Sequence, residues 1–522
     1  MLKVLAAEQC EVSANGNAFE LMVMTKKHWF YLTKLSGTYV MKQSKNKLTG
    51  QGQHNENQLE SFSAQGVMAG ATDRIGTSLK YNKVSFTSEE AVDAITRTGH
   101  SWNGMKQIDQ SAEVNYLFLN PRYGAKTPAG DSGLTKFNSA QITAAKQAMQ
   151  SWADVANVTF NEASTVGDAN IRFGNYEIYS GQSSNPSFTT GYAYFPWAPS
   201  SQVGVWINSN HQGNQRPDLY QSGHQTLSHE IGHALGLSHP GRYDSLKGTP
   251  SYRNTAYAED SKQYSTMSYW SEWNTGADFK GFYPVGPQID DIAAVQRLYG
   301  ANMNTRTEDT VYGFNSNTNR DSLSLNHNSD KKVFAVWDAD GNDTFDFSAY
   351  ANNQRINLNE QSFSDVGGLE KNVSIAAGAV IENAIGGSGN DILIGNHVSN
   401  LLKGNAGNDV IYGAGGGDHL FGGAGRDTFF YGNIQDSTPE NPDTIYDFVS
   451  GIEKIDLRGL NIAENSARLV NEFSGKAGEA ILNFDETTGM NEFALNHSGG
   501  GLSADFTLKI IGQPMKAADF LV

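Results

Sequence analysis

Residues 229–239 read HEIGHALGLSH and contain three histidines and one glutamate at spacings that suit a metal ion. His229 and His233 are four residues apart, so on an α-helix both rings project from the same face, one turn apart. Two imidazoles placed in this way can bind one Zn²⁺ ion. Glu230 lies beside them and can take a proton from a water molecule held by that ion. The segment therefore predicts hydrolytic zinc chemistry.

A helix must position these side chains, and its other face and its end can be read from the same residues. Leu227, Ile231 and Leu235 form an apolar stripe at four-residue spacing that would pack on a core. Gly236 can leave a helix through a left-handed conformation, so we expect the helix to stop there. The turned chain would bring His239 back as a third ligand and leave the fourth position to water. The alternative of surface histidines on an ordinary helix does not explain the glycine and the third histidine.

This segment resembles the metzincin pattern H-E-x-x-H-x-x-G-x-x-H, and its final SHP resembles the serralysin branch of secreted bacterial proteases. Residues 265–269, STMSY, are similar to the methionine turn of that family. The resemblance implies that Met267 forms an apolar floor under the zinc. It also implies that Tyr269 is both a further zinc ligand in the resting enzyme and a catalytic residue that helps stabilise the oxyanion. Without the zinc motif, Met267 would be taken as an ordinary core methionine.

A second signal begins at Gly386, where five nonapeptides start at residues 386, 395, 404, 413 and 422. They follow the pattern G-G-x-G-x-D-x-U-x of calcium-binding parallel β-rolls, the RTX repeat. A flexible Gly/Asp/Asn-rich linker is the alternative, but a linker does not place a large apolar residue at every ninth position. Those residues are Leu393, Leu402, Ile411, Leu420 and Phe429.

Two strands make one coil of such a roll, so neighbouring turns should be eighteen residues apart. This spacing pairs Asp391 with Asp409, Asp409 with Asp427, and Asn400 with Asp418. The second repeat has an asparagine where the pattern has aspartate, so we expect its calcium site to be the weakest. A sixth, degenerate frame from Tyr431 would place Asp436 at the ligand position.

An outlying segment around Gly341 has the same relative spacing of glycine, aspartate and phenylalanine. By resemblance to serralysins it joins an Arg-x-x-x-Thr stretch and a later glutamate around two further calcium ions. Asp340 and Glu308 stand where the family usually has glycine, which adds negative charge. The full set of predicted calcium ligands is Arg306, Glu308, Thr310, Asp338, Asp340, Gly341, Asp343, Glu382, Gly387, Gly389, Asp391, Asn396, Asn400, Gly404, Asn405, Ala406, Gly407, Asp409, Gly413, Gly415, Asp418, Gly422, Ala424, Asp427 and Asp436.

The composition agrees with an exported, calcium-dependent protein. The 522 residues carry 38 basic and 55 acidic side chains, for a net charge of −17, which excludes nucleic acid as a natural partner. Repelling carboxylates should keep the roll unfolded in a low-calcium cytoplasm until it reaches calcium outside. The only cysteine is Cys10, so no internal disulfide is possible, and no apolar run is long enough to span a membrane.

The chain start lacks the pattern of a cleaved signal peptide, so export would need another signal. The end, residues 518–522, reads ADFLV and resembles the acidic-apolar terminus of type I secretion substrates. The implied partners are protein and peptide substrates, the type I secretion apparatus and a small periplasmic protease inhibitor. We expect a secreted, extracellular monomer.

Four segments are predicted. Residues 1–40 match nothing in the family and form an N-terminal extension or an artefact, so the functional product would start at Met41. Residues 41–65 would be a propeptide that makes the chain a zymogen. Residues 66–300 would be an α+β metzincin-like zinc protease domain, and residues 301–522 an all-β parallel β-roll with the secretion region.

Within the catalytic segment, apolar spacing predicts a helix from Ile142 to Val155 capped by Asn138 or Ser139, and a last helix over 290–299. Strand patterns lie at 158–160, 171–173, 191–195 and 203–207. The third of these is either an ordinary strand or the metzincin edge strand, in which case Ala193 and Tyr194 would bind an extended substrate.

The sequence thus predicts a calcium-stabilised, zinc-dependent endopeptidase of broad specificity, with one catalytic zinc and several structural calcium ions. The alternative is a β-roll binding or adhesive protein whose zinc domain is inactive, but Glu230 is intact. A β-roll lipase is discarded, because the segment nearest to G-x-S-x-G, residues 99–103, lacks the closing glycine.

Overall fold

The computed structural model describes residues 10–15, 18–25, 28–35, 38–43, 74, 82–178, 190–243, 251–462 and 467–522. The chain forms two compact units, Met1–Phe62 and Ser63–Val522. Among the described residues, none of the helices is both long and apolar enough to cross a membrane.

The short unit contains one antiparallel sheet in which each strand pairs with the next along the chain. Its strands are β1 (Cys10–Asn15), β2 (Ala18–Thr25), β3 (His28–Leu35) and β4 (Thr38–Gln43). Leu32 on β3 lies opposite Met41 on β4. The predicted boundary between residues 40 and 41 therefore lies inside a strand, and these strands were not predicted from the sequence.

The long unit begins with a mixed α/β region that holds the zinc motif. Its elements are α1 (Ser88–Thr96), β5 (Ala112–Phe118), α2 (Ser139–Val155), β6 (Val158–Glu162), β7 (Ile171–Tyr176), β8 (Gly191–Ala193), β9 (Val203–Asn208), α3 (Gln212–Gln215), α4 (Ser222–Ala234) and α5 (Ile289–Tyr299). Two short 3₁₀ helices, Tyr252–Asn254 and Glu272–Thr275, lie between α4 and α5. The predicted helices and strands are confirmed, whereas α1 and β5 were not predicted.

Helix α2 forms where the sequence places both a cap and an apolar face. Asn138 is the cap: its side chain accepts a hydrogen bond from the Gln141 N–H at 2.9 Å, and the Gln141 side chain accepts from the Asn138 N–H at 3.0 Å. Met149 and Trp152 are buried on the inner face. The Trp152 indole N–H donates to the carbonyl of Ser228 at 3.1 Å, which joins α2 to α4.

A five-stranded sheet in the order β6-β5-β7-β9-β8 lies beside these helices. Strands β5, β6, β7 and β9 are parallel, and β8 runs antiparallel to β9 at the edge. The strand predicted over 191–195 ends at Ala193. Beyond it the Phe195 ring turns to stack on His100, with ring centroids 5.2 Å apart.

The rest of the long unit is built of strands. They are β10 (Val311–Gly313), β11 (Phe334–Val336), β12 (Thr344–Asp346), β13 (Arg355–Asn357), β14 (Phe363–Ser364), β15 (Val373–Ile375), β16 (Asn383–Ile385), β17 (Ile392–Ile394), β18 (Leu401–Ala406), β19 (Val410–Tyr412), β20 (His419–Ala424), β21 (Thr428–Phe430), β22 (Asp443–Phe448), β23 (Lys454–Asp456), β24 (Arg468–Leu469), β25 (Glu479–Asp485), β26 (Met490–Asn496), β27 (Phe506–Gly512) and β28 (Phe520–Leu521). They form sheets of ten, six and three strands.

The repeats fold as the predicted parallel roll. Strands β16, β18 and β20 pair in parallel in one sheet, and β17, β19 and β21 pair in parallel in another. Leu393 lies opposite Ile411, and Ile411 lies opposite Phe429, so the eighteen-residue coil is confirmed. All five predicted apolar residues of the repeats are fully buried. The roll core and the catalytic core belong to one continuous cluster of buried side chains.

Candidate metal centre

Helix α4 holds the zinc motif inside the protein. From Gly223 to Ala234 every residue of the helix is buried. Leu227 and Ile231 contribute to the core, and Gly232 faces Met267 and Trp152 so closely that a Cβ there would clash with the methionine sulfur. The helix has the predicted division between a packing face and a histidine face.

The helix ends as Gly236 predicts. The Leu237 N–H donates to the Gly232 carbonyl at 3.0 Å and the Gly236 N–H to the His233 carbonyl at 2.9 Å, a Schellman closure. Gly236 has φ +101°. A Cβ at this position would also clash with the carbonyl of His100. Both the dihedral angle and the close approach require glycine.

After this turn the chain returns His239 to the helix, and the three imidazoles converge. The His239 Nε2 atom lies 3.2 Å from His229 Nε2 and 3.0 Å from His233 Nε2. One ligand atom from each residue lies within 4.8 Å of the other two. In neutral rings that carry their proton on the other nitrogen, these Nε2 atoms cannot hydrogen-bond to one another. Three such lone pairs this close together fit a single Zn²⁺ ion.

The second nitrogen of each ring fixes its orientation. Nδ1 of His229 donates to the Thr266 carbonyl at 2.9 Å, and Nδ1 of His233 donates to the Leu237 carbonyl at 2.7 Å. Nδ1 of His239 faces the Tyr243 carbonyl at 3.4 Å. A carbonyl can only accept, so the proton stays on Nδ1 and the Nε2 lone pairs point to the centre.

Burial sets the charge state of the site. It lowers the pKa of His233 to about 4 and places the pKa values of His229 and His239 well below their usual range, so the rings are neutral ligands. Burial also raises the pKa of Glu230 to about 8. Glu230 Oε2 has no hydrogen-bond partner among the described residues. A buried, unpaired carboxylate oxygen beside three lone pairs is what a neighbouring cation and a water molecule would satisfy.

The methionine turn packs against helix α4, which carries His229 and His233. Met267 is fully buried against Gly232 of α4, at the position predicted for the floor. The Tyr269 ring lies at the rim with 37% of the residue exposed, its centroid 4.4 Å from that of His239 and 5.9 Å from that of His229. The structure therefore brings Tyr269 to the histidines and Met267 to the helix that carries His229 and His233.

Tyr243 is a site residue that sequence reasoning missed. Its ring stacks on His239 at 5.2 Å, and its hydroxyl donates to Asp260 Oδ1 at 3.0 Å and accepts from the Tyr269 N–H at 3.4 Å. It thus connects the third histidine to the residue after the methionine turn. No local pattern marks a lone tyrosine four residues beyond His239.

The acidic residues of the repeats form stacks along the roll, at the predicted spacing. Asp409 Oδ1 accepts from the Asp391 N–H at 2.7 Å, and Asp427 Oδ1 accepts from the Asp409 N–H at 2.9 Å. Asp418 Oδ1 likewise accepts from the Asn400 N–H at 2.8 Å. In each stack one carboxylate oxygen binds the neighbouring coil and the other is left for a further partner.

The second oxygens fit a hard cation. Oδ2 of Asp409, Asp418 and Asp427 is buried without a hydrogen-bond partner among the described residues. Gly404 shows how tightly such an oxygen is enclosed, because a Cβ there would clash with Asp409 Oδ2. Burial raises the pKa of Asp409 to about 7 and that of Asp418 to about 8. Calcium, which binds carboxylate and carbonyl oxygens, would satisfy these groups.

The predicted backbone ligands lie in stacked coils of the roll. The Ala406 N–H donates to the Gly387 carbonyl at 3.3 Å and the Gly407 N–H to the Ala424 carbonyl at 2.9 Å. Of the other predicted ligands, Gly404 and Asn405 lie in β18 and Gly422 lies in β20, whereas Gly389, Asn396, Gly413 and Gly415 lie between strands.

Asn400 differs from the aspartates, as its lack of charge predicts. Its Oδ1 accepts from the Asn396 N–H at 2.8 Å, and its Nδ2 donates to the Glu382 carbonyl at 2.9 Å and to Asn396 Oδ1 at 3.0 Å. The amide is satisfied by protein groups alone, so a cation gains little there.

The acid stack also contains an aspartate that the repeat spacing does not predict. Asp443 Oδ1 accepts from the Asp418 N–H at 2.8 Å, and Asp443 Oδ2 is buried without a partner among the described residues. Asp436, eighteen residues after Asp418, accepts from the N–H groups of Gly432 and Asn433 at 2.8 and 2.7 Å. The Gly432 contact is the one that Asp391 makes with the Gly387 N–H in the first repeat, as a sixth frame from Tyr431 predicts.

The outlying calcium segment is also assembled. Asp343 Oδ1 accepts from the Thr310 N–H at 2.8 Å, and Glu382 Oε2 accepts from the Asp343 N–H at 2.7 Å. Asp338 lies beside them and accepts from the Asp340 N–H at 3.3 Å. Burial raises the pKa of Asp343 to about 8.

The four other predicted ligands of that segment have no buried carboxylate in the cluster: Arg306, Glu308, Asp340 and Gly341. Gly341 has φ +129°, and a Cβ there would lie 2.8 Å from the carbonyl of Glu308. The side chains of Glu308 and Asp340 are exposed. Arg306 has a left-handed backbone at φ +53°.

Comparison with known proteins agrees with this geometry. A family model described as Matrixin matches residues 132–264, and one described as Peptidase M10 serralysin C terminal matches residues 301–522. Serralysin C and Serralysin A of Dickeya chrysanthemi are 54% and 53% identical, each over 86% of this chain and 93% of its own length. Metalloprotease AprA of Pseudomonas entomophila is 50% identical over 84% of this chain and 91% of its own length. The chain belongs to the serralysin family of metalloendopeptidases.

Proposed function

We propose that the protein is a secreted endopeptidase of broad specificity that uses one catalytic zinc held by His229, His233 and His239. One observation carries the proposal: three Nε2 atoms converge beside the unpartnered Oε2 of Glu230. Zinc bound there would supply Lewis acidity to the scissile carbonyl and to water. The unpartnered Glu230 Oε2 argues against the alternative of a binding protein with an inactive zinc domain.

Glu230 moves the proton in this proposal. Its Oε2 takes a proton from the attacking water and then passes it to the leaving amine nitrogen. The burial that raises its pKa to about 8 also favours the protonated form needed for the second transfer. Glu230 would be held as the carboxylate needed for the first transfer when zinc is bound by the three histidines.

The edge strand and the rim tyrosine complete the proposed site. Strand β8 is the edge of its sheet, so Ala193 and Tyr194 can offer backbone groups to an extended substrate by strand addition. Tyr269 stands at the mouth of the site, where its hydroxyl would stabilise the oxyanion of the tetrahedral intermediate.

Several calcium ions are proposed to hold the roll together. The support is the set of buried, unpartnered aspartate oxygens described above, which like-charge repulsion would otherwise push apart. Calcium outside the cell would then drive the folding of a chain exported through a type I system. A small periplasmic inhibitor is a further proposed partner, and we propose a monomer.

The zinc mechanism is tested with Glu230→Gln, which keeps the size and shape of the side chain. We expect zinc content equal to that of the unaltered protein and at least about a hundredfold lower casein hydrolysis, because general bases contribute of order 10²–10⁴. Glu113→Gln, an exposed change on β5, is the matched control. Near-normal turnover by a zinc-replete Glu230→Gln protein would rule out this mechanism.

The propeptide is tested by mass spectrometry of the secreted protein. We propose removal of the segment between Met41 and about residue 65, with residues 1–40 dispensable, because Met41 opens a lysine-rich polar stretch. The mature N-terminus should lie between residues 55 and 75, and a chain starting at Met41 should be exported and active. If only the full chain matures, the extension is functional; in that case Cys10, whose side chain lies outside the described residues, could cap the zinc as a thiolate.

A further inference from the structure

A buried ion pair joins the start of the long unit to its last catalytic helix. The guanidinium of Arg74 binds the carboxylate of Asp290 on α5, and its Nη1 donates to the Phe86 carbonyl at 3.2 Å. The Asp290 side chain is fully buried, and that of Arg74 is only 15% exposed. Its guanidinium carbon lies 5.4 Å from the centre of the Tyr264 ring. The arginine is thus enclosed by the protein.

The charged form of the buried Asp290 carboxylate is stabilised by Arg74. Burial raises the pKa of Asp290 to about 6, and the charge of Arg74 and its hydrogen bond oppose that rise. Removing one partner of a buried pair leaves an uncompensated buried charge, which is more costly than losing an exposed pair. The ion pair with Arg74 therefore stabilises the position of the first turn of α5.

The next residue of that turn holds the methionine turn. Asp291 Oδ1 accepts from the Ser265 hydroxyl at 2.6 Å, and its Oδ2 accepts from the Thr266 N–H at 2.6 Å. It also accepts from the Gln288 N–H at 2.9 Å, which caps the helix. Asp290 is fastened to the same region, because its N–H donates to the Tyr264 carbonyl at 3.0 Å.

The methionine turn in turn orients a predicted zinc ligand. The Thr266 carbonyl accepts from Nδ1 of His229 at 2.9 Å and from the Gln225 amide at 3.1 Å. The Thr266 N–H therefore donates to Asp291, and the Thr266 carbonyl accepts from His229. The path from Arg74 to the zinc site contains an ion pair, one peptide bond and two hydrogen-bonded contacts.

We propose that Arg74 is a positioning residue for the zinc site: by pairing with Asp290 it fixes the first turn of α5, through which Asp291 and Thr266 orient His229. The inference rests on the proposed zinc function. It places a requirement on maturation, because a chain cut beyond Arg74 would lose the pair. The proposed cleavage window from 55 to 75 therefore narrows to positions before Arg74.

The experiment uses the full mature protein and compares Arg74→Met with Arg122→Met, an exposed control arginine. The readouts are the rate of zinc loss to a chelator well below the melting temperature, and separate kcat and KM values. Arg74→Met should speed zinc loss and lower kcat by about tenfold, since groups that orient ligating histidines contribute 10–100-fold. KM and the circular dichroism spectrum should stay unchanged, and Arg74→Lys should recover part of the effect.

Asp290→Asn completes a cycle and keeps the test decisive if Arg74→Met does not fold. Asp290→Asn alone should speed zinc loss, and adding Arg74→Met to it should change the rate less than about twofold, because the charge that needs Arg74 is gone. Zinc loss and kcat at normal values in Arg74→Met, or in Asp290→Asn when the first variant does not fold, would overturn the inference. A mature protein that is fully active with an N-terminus beyond Arg74 would overturn it as well. Absence of zinc from the unaltered protein would refute the proposed function instead.

Discussion

At the scale of single residues, the three imidazoles are oriented by main-chain carbonyls. Thr266 and Leu237 accept from His229 and His233, and the Tyr243 carbonyl faces His239. Carbonyl acceptors add no charge, so the site gains its negative charge from Glu230 alone among these groups. The consequence is that ligand orientation depends on the backbone path of the methionine turn and of the glycine turn, and any change that moves either turn moves a ligand.

Tyr269→Phe tests the rim residue. The phenol is proposed to act on the oxyanion, which exists in the transition state and not in the bound substrate, so kcat should fall more than KM rises. The fall in kcat should be smaller than the one expected for Glu230→Gln, because the general base stays in place. Steady-state kinetics on a peptide substrate measure both constants. A change confined to KM would show that the tyrosine binds substrate only.

The residues predicted at this scale are those whose partners lie close in sequence. His229, His233 and His239 fall within eleven residues, so helical geometry and one glycine suffice to bring them together. Tyr243 and Asp291 were missed because their roles depend on contacts with Asp260 and Thr266, and those are set by the fold.

At the scale of elements, each repeat contributes one strand and one turn, and the two have different requirements. The strand needs one large apolar residue, such as Leu420, to fill the roll. The turn needs glycines, because the carboxylate of the same repeat approaches the first of them, as Asp391 approaches Gly386. A nine-residue period satisfies both, so pattern and structure agree wherever the period holds.

Asp409→Ala and Asn400→Ala form a matched pair on the two faces of the roll. Asp409 offers an unpartnered carboxylate oxygen and bonds to both neighbouring coils, whereas the Asn400 amide is satisfied by protein groups. Asp409→Ala should weaken calcium binding by at least about tenfold, because calcium affinity follows ligand charge. Asn400→Ala should alter it much less. Calcium titration by calorimetry would separate them, and equal affinities would contradict the eighteen-residue pairing.

Strand β5 and the end of the acid stack were missed for different reasons. Strand β5 alternates buried and more exposed residues, so its pattern was present in the sequence and was overlooked, whereas its pairing with β6 and β7 depends on distant parts of the chain. Asp443 joins the acid stack twenty-five residues after Asp418, because an irregular segment replaces a regular repeat. The nine-residue repeat does not predict where an inserted segment will return to the stack.

At the scale of the molecule, the predicted calcium segment is attached to the helices of the α/β region. Asp154 at the end of α2 binds Arg306 at 3.3 Å and Arg320 at 2.8 Å, and these charges lower the pKa of its carboxyl group despite burial. Arg306 belongs to the predicted calcium segment, and Trp152 of α2 is bonded to Ser228 of the zinc helix. If this segment became disordered when calcium was removed, the change would be transmitted to the zinc helix α4 through Asp154 and Trp152 of α2.

The calcium-free protein should respond to pH in the opposite direction from most folded proteins. Burial raises the pKa of Asp391 and Asp427 to about 6, that of Asp409 to about 7 and that of Asp418 to about 8, from an ordinary value of 3.8. A carboxyl group with a raised pKa in the folded state stabilises that state below the unfolded pKa, and this contribution is lost as pH rises through 6 to 8. Bound calcium reverses the preference, because it needs the carboxylates deprotonated.

Thermal melting of the Glu230→Gln protein, which cannot digest itself, would test this directly. Calcium is removed by dialysis with zinc kept in the buffer, and the roll is followed by circular dichroism. Without calcium, the melting temperature should be lower at pH 8 than at pH 5 by roughly 5 °C or more, since a few kcal/mol produce shifts of that size. With saturating calcium it should be higher at pH 8 than in the calcium-free protein at either pH. Identical melting curves with and without calcium at pH 8 would show that these buried carboxylates do not bind it.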